Sequence, residues 1–427
     1  MPSINANAPR PISVNPFRFS LSPFFVLLIF LAIFAGCQGG RYYFENRLQE
    51  LGITSALLLF LAGSWRGFFI LETMEWRRWV YLPVILVGGI MLISAVVFSV
   101  NYQGSVLYSF FSAREFMLAF VGPGIYLLCR TGLSLKLVER VIWAVLMALM
   151  LNYLFFYFTM DLSAAFFSSD HTVSSLVTYD EWRGFRLKPP LFAIMVGLLS
   201  SFMLLLQSRS WMTRCAALVV LGLAAYIWSI VLFRSALATM LLSIVLYPIF
   251  LSSRNRLHFL FVLVPVALII VPPLLQLVLS NFLLADGGNI RAKAFGLAFE
   301  HIPRHFLLGA GEDSAYGRSY QDLVGSYFYP SDLGLVGTFY KYGLLGTLLY
   351  LFMHFKIWRS LWRANLSSRA GNTAPSSLLW GLLIFFTAQT FNLALNPGLA
   401  YAQGITLGSM ALALACLHLP ELPRASA

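Results

Sequence analysis

Charged residues are scarce in this chain of 427 residues: Asp, Glu, Lys and Arg make up 11% of it, whereas hydrophobic residues make up 59%. The surface of a soluble domain needs far more charge than this, so the composition excludes an ordinary soluble protein. Cysteine is also scarce, and the four residues Cys37, Cys129, Cys215 and Cys416 show no metal-ligand spacing. They lie in or beside apolar runs, where they are expected to act as small hydrophobic side chains.

Several motifs of soluble enzymes are absent as well. The chain has no Walker lysine motif, no Cys-x-x-Cys, no His-Glu-x-x-His and no Gly-x-Ser-x-Gly. No predicted cytoplasmic loop is long enough for a nucleotide-binding domain. The sequence therefore predicts no metal and no cofactor, and any reaction should draw its energy from an activated group carried by a lipid.

Long apolar runs dominate what is present, and the mean hydropathy is +0.78. Runs of about 20 residues span a bilayer as helices, and lipid leaves no other way to pair the backbone. The sequence predicts one all-α membrane domain, 1–427, a polytopic transmembrane helical bundle of about twelve spans. The predicted spans are 22–37, 51–66, 79–99, 106–129, 138–160, 190–208, 214–233, 235–252, 258–280, 332–354, 376–395 and 398–418. The first run is expected to be a retained span, because no small-residue cleavage site follows it.

The net charge of +12 has a topological explanation. In a soluble protein it would suggest nucleic acid, but cations at the cytoplasmic ends of spans give the same excess, so no nucleic acid is expected. With the N-terminus inside, the predicted inside loops hold seventeen of the 29 Lys and Arg residues. This asymmetry predicts that both termini are cytoplasmic and that 161–189 and 281–331 are outside loops, the second being the long loop before the tenth span.

Cations on the predicted outer side run against this bias. They include Arg183, Arg186, Lys188, Arg234, Arg291, Lys293, Arg304 and Arg318. A guanidinium binds phosphate through two parallel hydrogen bonds, so these residues are candidates for holding a diphosphate. The alternative for Arg234 is that its side chain extends to the lipid headgroups without binding a substrate. The alternative for residues 183–188 is a group of solvated cations beside the membrane surface.

Arg114 and Glu115 fall inside the fourth predicted span, where an unpaired charge is costly. Adjacent residues on a helix point about 100° apart, so each is expected to find its partner on another helix. One interpretation is that the two residues are a structural buried pair within the bundle. The other is that Arg114 lines a polar cavity at the outer side, together with the cations named above.

The segment 281–332 gathers both signs of charge more densely than any other part of the chain. Residues 290–302 have the spacing of an amphipathic helix that could lie along the outer membrane face, preceded by a turn at 286–289. Lys341, about three turns into the tenth span, needs a partner or a cavity. The glycines at 334, 337, 343 and 346 fit close helix packing, and Asp332 fits a helix N-cap.

Four stretches, in this order, form a recognisable set. They are Arg183 to Pro190, then Phe233-Arg234-Ser235-Ala236, then Arg291 with the following helix through Leu308-Gly309-Ala310-Gly311, and finally Asp332-Leu333-Gly334 running to Tyr342-Gly343-Leu344-Leu345-Gly346. The set resembles the O-antigen polymerase and ligase superfamily of bacterial surface-polysaccharide assembly, over roughly residues 100 to 350. The ligase branch usually carries a His-Asn pair where this chain reads Pro330-Ser331-Asp332, so the resemblance favours a polymerase.

The resemblance implies a glycosyltransferase that polymerises undecaprenyl-diphosphate-linked repeat units of O-antigen, capsule or exopolysaccharide. Its active side would be the periplasmic face of the bacterial inner membrane, and its mechanism would need no metal. Arg234 and Arg186 would stabilise the leaving diphosphate, and Asp332 or His305, with Glu312 behind them, would accept the acceptor proton. The residues implied in binding the diphosphate or glycan are Arg183, Lys188, Arg291, Arg304, Arg318 and Arg114. The implied partners are the donor and acceptor glycolipids, the bilayer, a chain-length regulator and a flippase.

Three alternatives stay open. One is a ligase that transfers finished glycan to lipid A core, and another is a non-catalytic scaffold. The third is a transporter or flippase, since twelve spans with both ends inside also describe a major-facilitator carrier. Such a carrier is expected to have a central inside loop between two six-span halves. Here only about six residues separate the sixth and seventh predicted spans.

Overall fold

The apolar runs form helices, as expected where lipid cannot satisfy free backbone groups. The computed structural model describes residues 22–43, 47–180, 184–231, 286–313, 319–325, 328–370, 376–393 and 398–419. The α-helices in these ranges are α1 (Ser22–Gly36), α2 (Arg47–Ile70), α3 (Thr73–Tyr102), α4 (Val106–Ser112), α5 (Val121–Arg130), α6 (Leu135–Thr159), α7 (Leu162–Phe166), α8 (His171–Ser174), α9 (Leu191–Gln207), α10 (Trp211–Val231), α11 (Asp286–His301), α12 (Tyr320–Leu323), α13 (Gly334–Ala370), α14 (Ser377–Asn392) and α15 (Ala402–His418). Short 3₁₀-helices lie at Gly39–Tyr42, Ala113–Phe120, Ile302–His305, Pro330–Leu333 and Gly398–Ala400.

Five of the described helices are long and apolar enough to cross a membrane: Leu48–Ile70, Thr73–Tyr102, Leu135–Thr159, Trp211–Val231 and Pro330–Ser367. Shorter apolar helices accompany them at Pro23–Gly36, Leu191–Gln207, Ser377–Thr390 and Ala402–His418. The all-α class and the membrane character predicted from the sequence are therefore confirmed. The count of twelve spans and the cytoplasmic termini stay predictions, and the predicted spans 235–252 and 258–280 lie outside the described residues.

The predicted fourth span, 106–129, is not one continuous α-helix. A 3₁₀-helix at Ala113–Phe120 separates α4 from α5. Arg114 and Glu115 lie in this 3₁₀ section and reach across to α2, where Glu50 accepts from the Arg114 Nε at 2.6 Å and Gln49 donates to Glu115 at 2.5 Å. The prediction that each charge finds a partner on another helix is confirmed.

The predicted outside loop 161–189 contains regular structure that the sequence reading missed. After α7 and α8, strand β1 (Val177–Asp180) pairs antiparallel with β2 (Gly184–Leu187) in a two-stranded hairpin. Thr178 lies opposite Arg186, and the Leu187 side chain is fully buried. The hairpin therefore carries its arginine at a fixed register against the helical bundle.

Helix α11 begins at Asp286, so the residues 286–289 predicted as a turn form its first turn instead. Among its described side chains, Ala294 and Ala298 are buried, whereas Phe299 is 60% exposed. The helix packs against the rest of the protein through these two alanines, with Phe295 and Leu297 partly buried beside them.

The main core lies between α1, α6, α9, α14 and α15, with buried side chains from each. Helices α9 and α14 pack closely enough that a Cβ on Gly381 would stand 2.0 Å from the Ser200 Oγ. Small residues at a crossing allow such approach inside a membrane bundle, where tight packing replaces the hydrophobic effect between helices.

Two groups of loop contacts lie at opposite ends of the bundle. At the end where α1, α3, α6 and α10 finish, here named the polar end, Asn152 donates to the Gly39 carbonyl at 2.7 Å and Gln403 donates to Gln38 at 2.9 Å. At the other end, Glu75 pairs with Arg130 at 2.9 Å and Glu139 with His418 at 3.1 Å. These groups correspond to the loops predicted outside and inside, and which end faces the cytoplasm stays a prediction.

Candidate functional site

Arg186 reaches the polar end from strand β2. Its Nη1 donates to the carbonyl of Val231, the last residue of α10, at 3.4 Å, and the side chain is half-buried. The hairpin thus brings a guanidinium to the point where the chain leaves α10. Arg234, three residues further along the chain, and Arg183 both lie outside the described residues.

Lys188 follows directly after β2 and is held by its backbone. Its N–H donates to the Leu176 carbonyl at 2.8 Å, and its own carbonyl accepts from the Tyr42 hydroxyl at 2.6 Å. Burial lowers the pKa of Lys188 from its ordinary value; the positive charge of Arg41 lowers it further, and the Asp332 carboxylate opposes both effects. Lys188 is therefore within electrostatic reach of a second cation and of the predicted general base.

Arg41 is a site residue that sequence reasoning missed. It lies in the 3₁₀-helix Gly39–Tyr42 and donates to the Gln38 Oε1 at 3.4 Å. The same oxygen accepts from Gln403, whose own Oε1 accepts from the Phe192 backbone N–H at 3.1 Å. This chain of hydrogen bonds joins the loop after α1 to the start of α9, a few residues past Lys188. Arg41 is a cation in a predicted outside loop, so the reasoning applied to Arg186 could have found it.

Acidic residues stand on the other side of these cations. Glu312 accepts hydrogen bonds from the Lys341 ammonium and, at 2.5 Å, from the Tyr342 hydroxyl. Asp313 lies 3.9 Å from the same ammonium. Lys341, which lies within the predicted tenth span and was expected to need a partner, is thus paired with Glu312 and Asp313. Burial raises the pKa of Glu312 above its ordinary value, against the opposing charge of Lys341.

Glu115 links the two halves of the site. It lies within electrostatic reach of both Arg41 and Lys341. The residues joined in this way, together with Arg186 two residues before Lys188, are named here the polar cluster: Arg41, Glu115, Arg186, Lys188, Glu312, Asp313, Asp332 and Lys341. They come from six separate stretches of the chain and meet at the polar end.

His305 lies among aromatic rings instead of among the cations. Its Nε2 is 3.5 Å from the Tyr102 hydroxyl, which in turn is 2.9 Å from the hydroxyl of the buried Tyr340. Burial lowers the pKa of His305, and the charges of His301 and Arg304 lower it further. At neutral pH the ring is therefore a neutral group that can accept a proton.

The remaining predicted site residues are dispersed. Arg114 is engaged with Glu50 and donates to the Phe111 carbonyl at 2.9 Å. Arg304 is exposed in the 3₁₀-helix Ile302–His305. Arg291 lies in α11, but its side chain is outside the described part, as is the whole of Arg318. Asp332, by contrast, belongs to the polar cluster and is exposed in the 3₁₀-helix Pro330–Leu333, two residues before α13 begins.

A small cavity opens beside the polar cluster, between the starts of α13 and α15. Its volume is about 30 Å³, and Lys341, Tyr342 and Ser331 are among its lining residues. The Tyr401 hydroxyl closes one side by donating to the Ser331 carbonyl. This volume holds about one or two water molecules, so any larger ligand of the cluster would have to bind on its exposed side, where Asp332 lies.

No protein-family model matches the chain, and a search of curated proteins gives no match. Function therefore has to be argued from the residues. In the part of the chain that the structure describes, no three His, Cys, Asp or Glu side chains are grouped to hold a metal ion; whether the protein uses a metal stays a prediction. The polar cluster can bind an anionic group through its cations, and its exposed carboxylate can accept a proton.

Proposed function

We propose that this chain polymerises lipid-linked oligosaccharide repeat units into a bacterial surface polysaccharide. The donor and acceptor would be undecaprenyl-diphosphate-linked glycans, and the polar end would be the periplasmic face of the inner membrane. The supporting observation is that the cations Arg41, Arg186 and Lys188, from two distant stretches of the chain, lie at one end of a membrane bundle, where the Asp332 carboxylate is within electrostatic reach of Lys188. A lipid-borne diphosphate is an anion that would be presented at this position.

The reaction would use the cluster as follows. A hydroxyl of the acceptor sugar attacks the anomeric carbon of the donor glycan and forms the new carbon–oxygen bond. The bond from that carbon to the diphosphate breaks, and its electron pair leaves with the lipid diphosphate. The proton of the hydroxyl passes to the Asp332 carboxylate. Fixed cations stabilise the negative charge that develops on the leaving group, which is commonly the largest single contribution to catalysis.

Asp332 is preferred as the base because its carboxylate lies within electrostatic reach of Lys188. A diphosphate bound by Lys188 would therefore lie near this carboxylate. His305 is the second candidate: its pKa is lowered, so it is neutral at neutral pH, and it is hydrogen-bonded to Tyr102. Glu312 accepts hydrogen bonds from Lys341 and Tyr342 and is the third candidate.

The test is deletion of the gene in its host, followed by analysis of the surface glycan and the lipid-linked pool. A polymerase mutant is expected to display single repeat units. Accumulation of long lipid-linked polymer would instead identify a ligase, and repeat units trapped on the cytoplasmic side would identify a flippase. A nearby gene for a chain-length regulator would be consistent with the polymerase.

The site assignment has its own test. Complementation with Arg186→Ala should leave single units, whereas Arg130→Ala, which removes a cation at the opposite end of the bundle, should restore normal chains. Removing one donor to a developing anion typically costs about 10²–10³ in rate. Full-length polymer from Arg186→Ala would exclude the polar cluster as the reaction site.

A further inference from the structure

Helix α13 is broken at Gly343. This residue has φ 63° and ψ −167°, so the turn that should continue the helix does not form. In an unbroken helix the Leu344 and Leu345 N–H groups would donate to the carbonyls of Tyr340 and Lys341, four residues earlier. The break therefore frees two donors and two acceptors about nine residues into a helix long enough to span a membrane.

Residues 306–311 supply partners for all four groups. The Ala310 and Gly311 N–H groups donate to the Tyr340 and Lys341 carbonyls at 2.8 and 2.9 Å. In the opposite direction, the Leu344 and Leu345 N–H groups donate to the carbonyls of Phe306 and Leu307 at 2.8 and 3.2 Å. Hydrogen bonds to residues 306–311 thus replace those that helix α13 loses at Gly343.

The segment itself is paired in return. Gly309 donates to the His305 carbonyl at 2.8 Å, and its own carbonyl accepts from Asn101 at 3.4 Å. The Gly311 carbonyl accepts from the Tyr320 hydroxyl at 2.5 Å. A loop in water has no need of such partners, but a backbone at membrane depth does, because each unpaired group there costs several kcal/mol.

The segment lies below the ends of the helices that contact it. A Cβ on Gly311 would meet the Ser94 carbonyl and the Phe98 nitrogen of α3 at 2.5 Å each. These residues precede the last residue of α3, Tyr102, by eight and four positions, or roughly 6–12 Å at 1.5 Å per residue. Gly343 lies nine residues past the start of α13 at Gly334, or roughly 13 Å. The segment and the break therefore both lie roughly 6–13 Å from a helix end.

Apolar side chains of the segment face outward at this depth. Phe306 is 52% exposed, Leu307 55% and Leu308 42%. Leu307 is hydrogen-bonded through its backbone to Leu345, which is itself 51% exposed. Below Leu345 on the same face of α13 lie Leu348 and Phe352, both more than half exposed. The segment thus extends an apolar strip that runs along a helix of membrane-spanning length.

We propose that residues 306–311 re-enter the membrane and that Phe306, Leu307 and Leu308 contact the acyl chains of the bilayer. The partner is lipid because the strip is continuous with the exposed apolar face of α13. The predicted outer loop 281–331 is then not wholly outside the membrane. This inference does not depend on the proposed function, since it concerns only where the segment lies.

Spin-label accessibility in vesicles tests this proposal directly. The full-length chain is prepared with alanine at its four cysteines, and single cysteines are introduced as Leu308→Cys, Arg304→Cys and Leu348→Cys. Each variant is labelled with a nitroxide and reconstituted into phosphatidylcholine–phosphatidylglycerol vesicles. Collisions with dissolved oxygen, which enters hydrocarbon, are compared with collisions with a water-soluble nickel chelate, which does not.

The Leu308 label is expected to match the Leu348 label, with high oxygen and low nickel accessibility. The exposed Arg304 label, one turn earlier in sequence, should be accessible to nickel. A Leu308 oxygen-to-nickel ratio nearer that of Arg304 than that of Leu348 overturns the proposal. Phe306→Cys provides a second position with the same two reference labels, so the result does not depend on the folding of a single variant.

Discussion

Replacement of Gly343 by alanine should have a large effect that helix propensity alone would predict with the wrong sign. Alanine is the better helix former by about 1 kcal/mol. At φ 63°, however, a residue with a Cβ is strained, and this Cβ would stand 2.4 Å from the Gly309 nitrogen and 2.5 Å from the Leu307 carbonyl oxygen. Neither contact can be relieved by moving a flexible side chain, because both partners are backbone atoms.

The expected loss follows from two contributions. The left-handed conformation costs about 1–2 kcal/mol for a residue other than glycine. Displacing residues 306–311 breaks the four backbone hydrogen bonds across the break, at about 0.5–1.5 kcal/mol net each, or about 2–6 kcal/mol together. After the propensity gain is subtracted, Gly343→Ala should destabilise the protein by about 2–7 kcal/mol.

Thermal unfolding of the purified protein in detergent or nanodiscs measures this loss, and proteolysis across 305–313 reports release of the segment. Gly222→Ala is the matched control, since Gly222 lies inside α10 and a Cβ there meets nothing within 4 Å. That control should be neutral or stabilising by up to about 1 kcal/mol. If Gly343→Ala unfolds at or above the temperature of Gly222→Ala, the break is not held as described and the reasoning fails.

Three further predictions concern the polar cluster and its surroundings. Lys341→Met should destabilise by about 3–5 kcal/mol because it leaves the Glu312 carboxylate without its cation, and adding Glu312→Gln should recover part of the loss in the same unfolding assay. His305 has a lowered pKa, so the stability it gives as a neutral ring is complete above the ordinary value of 6.5 and falls as the pH drops through the folded pKa; a His305→Gln variant whose stability shows the same acid limb would refute this. Arg186→Lys should lower polymer formation at least about tenfold, since lysine cannot form the paired hydrogen bonds, whereas Arg130→Lys should not; equal activity of the two variants would contradict the role of Arg186.

Hydropathy predicted the positions of the described helices because burial in lipid is set by the apolar side chains themselves. It could not predict how a segment is hydrogen-bonded once buried. The 3₁₀ section at Ala113–Phe120 reads as part of one apolar run, yet its charges pair with α2 across the bundle. Likewise the sequence predicts Gly343 as a packing glycine, whereas its φ of 63° breaks helix α13 and residues 306–311 dock at the break.

The site was partly predictable for a related reason. A cation on the predicted outer side is conspicuous because Lys and Arg are usually concentrated on the cytoplasmic side. This criterion identified Arg186 and Lys188 and would have identified Arg41. The grouping of these residues was not predictable, because it depends on the β1–β2 hairpin and on the hydrogen bonds through Gln403. The hairpin left a weak signal in the sequence, the β-branched and aromatic residues Val177, Thr178, Tyr179 and Phe185, which a search for apolar spans does not detect.

The helix break and the polar cluster are parts of one arrangement. Gly311 donates to the Lys341 carbonyl, and Glu312, the next residue, accepts from the Lys341 side chain. The docking that repairs the broken backbone therefore also places the carboxylate that neutralises a lysine below the end of the bundle. An unpaired lysine at that depth would be costly, and an unpaired break would be costly too. Docking of residues 306–311 satisfies the backbone groups at the break and also places the Glu312 carboxylate beside Lys341. The docked segment, the helix break and the ion pair should therefore form or be lost together.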